Sequence, residues 1–123
     1  MNYIEEASKT NQKDSLGVVT RLQNIQLTEL LHGAIGASTE ANELLDMLKK
    51  HIYYGKEIDY INIEEEVGDL FWYCALICNT IGKTFEEIME KNIDKLKTRY
   101  PNSFNNNDAI NRNLEEERKI LEK

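Results

Sequence analysis

Glu40-x-x-Glu43 and Glu66-x-x-Asp69 are two carboxylate pairs of equal spacing, set apart by an intervening segment. Residues three apart on an α-helix share a face, one turn above the other, so each pair is a two-pronged acidic clamp if its segment is helical. Bringing two such clamps together concentrates like charge, which is costly unless something positive sits between them. A hard divalent cation, Mg²⁺ or Mn²⁺, is the natural occupant. It prefers oxygen ligands and often holds a substrate's phosphates as well.

The elements that must position these acids read as helices. Leu27, Leu30, Leu31, Ala34, Ala37, Ala41, Leu44, Leu45 and Leu48 keep helical spacing over residues 25–50. Glu40 and Glu43 fall on the stripe beside them, with His32, Gly36 and Met47, so the pair is expected at the border of the core. The outward arc carries Thr39, Asn42, Asp46 and Lys49. A connection follows, with Gly55 as a turn or helix end. Asn62 and Glu65 resemble a helix-start box, which predicts a second helix over 63–80. That helix is apolar nearly all round (Val67, Leu70, Phe71, Trp72, Cys74, Ala75, Leu76, Ile77), a pattern suited to the middle of a bundle or an oligomer. Two acids in its first turns again call for a compensating ion.

Gly82 is expected to end this helix and Thr84-x-x-Glu87 to cap the next. Phe85, Ile88, Met89, Ile93, Leu96 and Tyr100 form an amphipathic stripe that Asn92 interrupts and Tyr100-Pro101 stops. Asn105 to Asn107 read as a loop, and 108–123 as one charged terminal helix. Residues 1–24 are expected to be helical in part, over 3–9, with a break near Gly17. No strand pattern or internal repeat is evident. The expectation is an all-α helical bundle, with the acidic site between two antiparallel helices. It comprises an N-terminal segment (1–24), a core (25–101) and a tail (102–123), in one domain overall.

Composition narrows the classes further. A chain of 123 residues can bury a core without staples. No apolar run reaches transmembrane length, and MNYIEEASKT lacks the basic start and apolar run of a signal peptide, so a cytoplasmic protein with no membrane partner is expected. Cys74 and Cys78 sit in the most apolar segment and read as buried thiols, without the further ligands that zinc needs. A net charge of −7 opposes binding to a nucleic-acid backbone, but a metal-screened nucleotide remains compatible. A di-iron carboxylate bundle asks for two Glu-x-x-His motifs. Glu29-x-x-His32 supplies one, whereas His51 has Leu48 three residues before it.

HGAIGASTEANELLDMLKK followed by EEEVGDLFWYCALI closely resembles the MazG-like, all-α nucleoside triphosphate pyrophosphohydrolases, and KNIDKLKTRYP resembles their Asn-x-x-Lys helix. The small size and charged tail resemble the short bacterial and phage forms. The resemblance implies Mg²⁺-assisted hydrolysis of a nucleoside triphosphate to monophosphate and pyrophosphate, with Mn²⁺ as a substitute. It implies Glu40, Glu43, Glu66 and Asp69 as metal ligands, with Glu43 also a candidate general base for a water attacking the α-phosphorus. Together with the apolar second helix, it implies a homodimer or homotetramer.

Asn92, Lys95 and Arg99 share a helix face whose amide and cations suit phosphate. Asn92 breaks an apolar stripe and must find polar partners there. Arg99 stays open between phosphate binding and an ordinary solvated face. Tyr73, four residues after Asp69, is placed to stack on or edge a base, while Trp72 points elsewhere, toward packing or an oligomer contact. For His32, contact with base or sugar and a satisfied core position are both open. Gly33 and Gly36 permit close approach of a helix or ligand. The alternative activities are phosphoribosyl-ATP pyrophosphohydrolysis, a catalytically silent nucleotide- or partner-binding module, and a plain structural bundle.

Overall fold

The computed structural model describes residues 2–123, and its regular structure is entirely helical. The helices are α1 (Tyr3–Thr10), α2 (Ser15–Leu22), α3 (Ile25–Tyr54), α4 (Tyr60–Thr80), α5 (Phe85–Arg99), α6 (Asn106–Ile110) and α7 (Leu114–Leu121). No described helix is long and apolar enough to cross a membrane. The chain divides into two compact units, one reaching Thr80 and the other spanning Ile81–Lys123.

In the first unit, α3 and α4 form an antiparallel pair. Asn24 caps α3 by accepting from the Leu27 N–H at 2.9 Å. Gly55 ends it at φ 68°, a left-handed conformation that glycine adopts without a Cβ penalty. The antiparallel register follows from contacts that run in opposite numerical order. Gln26 Nε2 donates to the Thr80 carbonyl at 3.2 Å, Gly33 lies against Ile77, Gly36 lies against Tyr73, and Glu40 reaches Asp69 and Glu66.

Gly36 sets how closely the helices approach. A Cβ built there would collide with Cε1, Cδ1 and Cζ of Tyr73. That ring is itself flanked edge-on by His32 at 5.7 Å and Trp72 at 5.0 Å between ring centroids. Gly36→Ala is therefore expected to lose about 1–3 kcal/mol to overpacking, more than the roughly 1 kcal/mol that alanine gains in helix propensity. Gly68, on α4, has nothing within 4 Å of an added Cβ. Gly68→Ala should instead gain up to about 1 kcal/mol. Thermal melts of the two variants would move in opposite directions, and a shared sign would refute this packing account.

Several helix boundaries differ from those expected of the sequence. The N-terminal break falls at residues 11–14, where Asp14 caps α2 by accepting from the Gly17 N–H at 3.0 Å, so Gly17 lies inside a helix. α4 begins at Tyr60, ahead of the expected start, because Asp59 Oδ1 accepts from the Ile61 and Asn62 amides, both at 3.1 Å. Asn62 is thus a helical residue rather than a cap. Within the first unit α4 packs on α3 along the face carrying Tyr73 and Ile77, while Phe71 is 60 % and Trp72 58 % exposed. Cys74 is half-buried and Cys78 buried, both as free thiols.

In the second unit, the capping box at Thr84 and Glu87 starts α5 as expected, and Tyr100 ends it. The terminal segment is two helices rather than one. Asn105 caps α6, residues 111–113 interrupt, and Asn113 caps α7. Asparagine side chains compete with the helical backbone for its amides, which favours such starts and breaks. α7 is fastened to α5 by Glu117, only 4 % exposed, whose carboxylate accepts from Arg99 Nε at 2.8 Å and Nη2 at 2.7 Å. Arg112 Nη2 donates to the same carboxylate at 2.7 Å, and Lys91 Nζ reaches the Leu121 carbonyl at 3.0 Å.

Candidate metal centre

Glu40 on α3 faces Glu66 and Asp69 on α4 across the antiparallel interface. Each offers a carboxylate oxygen, and these oxygens all lie within 4.8 Å of one another. Glu40 and Glu66 are half-buried and Asp69 is exposed, so the cluster opens at the edge of the helix pair. Burial pushes the Glu40 carboxyl above its ordinary range, and the facing Glu66 and Asp69 carboxylates act in the same direction against a bond from Thr39. That bond, Thr39 Oγ1 to Glu40 Oε1, is long at 3.3 Å, and it shares the single hydroxyl proton with the nearer Gly36 carbonyl at 2.8 Å. On the other side, Asn62 Nδ2 donates to Glu66 Oε1 at 2.7 Å.

These three donors fit a hard divalent cation. All three are carboxylate oxygens, and no soft sulfur or imidazole belongs to the group. Glu40, Glu66 and Asp69 would hold such an ion.

The remaining candidates are placed as follows. Glu43 is exposed and lies outside the group of three. Asp46, one turn further on, is bound at 2.6 Å by both Lys49 and Lys50, which hold its carboxyl down at about 2. Tyr73 is half-buried against Gly36, one turn before Glu40, and His32 is exposed at the edge of its ring.

Asn92, Lys95 and Arg99 belong to the second unit. Asn92 is exposed, so water meets the polar need that its place in an apolar stripe had suggested; Lys95 is half-buried. Neither side chain makes a hydrogen bond or ion pair with another described residue. Arg99 is held by Glu117. Asn62, expected as a helix cap, instead bonds a member of the acidic group. Its Asn-x-x-x-Glu spacing was a usable signal, since residues four apart meet on a helix.

An antiparallel helix pair with three clustered carboxylates defines an all-α protein with a candidate cation site. The chain belongs to the MazG nucleotide pyrophosphohydrolase domain family, whose model matches residues 34–104. The match takes in both acidic pairs and Asn92, Lys95 and Arg99, and begins just after His32. No curated protein and no solved structure matches the chain.

Proposed function

We propose that the protein hydrolyses a nucleoside triphosphate to the monophosphate and pyrophosphate in a Mg²⁺-dependent reaction. The observation that carries this reading is the convergence of Glu40, Glu66 and Asp69 within a chain of the MazG family. These three carboxylates would hold the cation, with Glu43 completing the set or standing beside it. When bound, the cation supplies neutralisation of the triphosphate and lowers the pKa of water.

The chain's own residues do the rest. An exposed carboxylate outside the cluster, Glu43 is suited to accept a proton from the water that attacks the α-phosphorus. The bond from that phosphorus to the bridging oxygen breaks, and pyrophosphate leaves. Asn92 and Lys95 are assigned to the phosphates on residue type, spacing and family resemblance. Tyr73 and His32 are assigned to the base or sugar on the same footing. Arg99 is left to its bond with Glu117, since a guanidinium already doubly bonded to a carboxylate is poorly free for phosphate. A homodimer or homotetramer is supported by the exposed apolar side chains of α4, Ile61 and Trp72 among them. A monomer in sedimentation equilibrium would contradict it.

The decisive assay is pyrophosphate release from each common NTP and dNTP with Mg²⁺ or EDTA. Release should require the metal and yield the monophosphate in equal amount. Glu43→Ala is expected to lower kcat by about 10²-fold or more, the usual scale for loss of a general base. Unchanged turnover in that variant would remove Glu43 from the mechanism. Phosphoribosyl-ATP belongs in the substrate panel, and turnover of that compound alone would move the activity to the alternative reaction.

A further inference from the structure

Asn62 is out of place by local rules. Asparagine favours helix caps over interiors, yet the cap of α4 is already supplied by Asp59, which satisfies the Ile61 and Asn62 amides. The Asn62 side chain is instead half-buried and gives Nδ2–H to Glu66 Oε1 at 2.7 Å. The amide orientation follows from the partner, because an ionised carboxylate only accepts. The bond ends on a member of the carboxylate cluster.

We propose that Asn62 is a positioning residue for the metal centre, holding Glu66 in the orientation that a divalent cation needs. This rests on the reading of Glu40, Glu66 and Asp69 as cation ligands. The chemistry suits the task. One oxygen of Glu66 is engaged by a neutral donor, which leaves the other for a cation and fixes the side chain beforehand. A lysine or arginine in the same place would also orient Glu66, but would cancel charge that the cation requires. An amide orients without neutralising. Its reach across one helical turn keeps this support on the same rigid element as Glu66 and Asp69.

The test is Mn²⁺ affinity, measured by the loss of the free-ion electron paramagnetic resonance signal without nucleotide. It compares wild type, Asn62→Leu, Asn62→Ala and Glu66→Gln. Asn62→Leu keeps the volume and removes the bond, whereas Asn62→Ala removes both. Both Asn62 variants are expected to bind Mn²⁺ about 10–100-fold more weakly, the range for lost outer-shell partners. The melting temperature of the metal-free protein should not fall, since losing a bond that only orients an acid leaves α4 intact. Affinity within twofold of wild type in Asn62→Leu overturns the proposal. So does a drop in metal-free melting temperature that accounts for the weaker binding, which would make Asn62 merely structural. A wild type whose Mn²⁺ binding is absent, or unchanged by Glu66→Gln, overturns the metal-site reading itself. That outcome is distinguished by its appearance before any Asn62 variant is considered.

Discussion

Glu40→Gln is expected to reduce metal-dependent turnover by roughly 10³-fold or more while leaving the metal-free protein at least as stable as wild type. The size follows from what is removed. Loss of one preorganised group facing developing charge costs about 10²–10³-fold, and losing a supporting partner of a metal ligand costs about 10–100-fold. Glu40 is proposed as a ligand itself, and the one contributed from α3 to the group of three. The stability half of the prediction separates function from folding. Glu40, Glu66 and Asp69 repel one another, and burial and their charges already push the Glu40 carboxyl upward. A neutral glutamine relieves that repulsion, so the metal-free melting temperature should hold or rise. Added Mg²⁺ should stabilise wild type and have much less effect on the variant. A variant that unfolds more readily in EDTA would show that Glu40 is structural, and undiminished turnover would break the proposed centre.

The second large effect concerns the tail. Glu117 is the single buried acid among the described residues and receives both Arg99 and Arg112. These guanidiniums hold its carboxyl down at about 2, and Glu117 in turn holds Arg99 protonated. A group whose folded pKa lies below its unfolded value stabilises the fold above the unfolded pKa, near 4.5, and loses that contribution as pH falls toward 2. The attachment of α7 to α5 should therefore be insensitive to pH between neutrality and about 5, then weaken progressively to pH 2. Hydrogen exchange read over Leu114–Leu121 should report the loss. Glu117→Gln keeps the shape but leaves two cations facing a neutral group. It is expected to speed exchange in α7 about tenfold or more at pH 7, and to flatten the pH dependence below 5. Equal acid sensitivity in wild type and variant would show that other carboxylates control the tail.

Much of the molecule is legible along the chain because the relevant interactions are local. The span of α3, the cap at Thr84 with Glu87, and the stop at Tyr100 depend on residues within about one helical turn of each other. The acidic pairs are visible for the same reason, since three-residue spacing on a helix is geometry and not tertiary packing. Local competition between similar signals explains the misplaced boundaries. Asp59 and Asn62 both qualify as caps for α4, and only one takes the amides.

Sequence by itself determined that this protein is helical, that it carries two carboxylate pairs on consecutive helices, and that it resembles the MazG family. Tertiary structure decided which acids meet. The register of α3 against α4 is set where Tyr73 lies in the gap left by Gly36, a fit of shapes that no periodicity encodes. That register brings Glu40 to Glu66 and Asp69 and leaves Glu43 outside. Only the folded second unit gives Arg99 to Glu117, because those residues lie 18 apart and meet through the docking of α7 on α5. Helical periodicity tells which side a residue occupies, whereas packing alone tells what stands across from it.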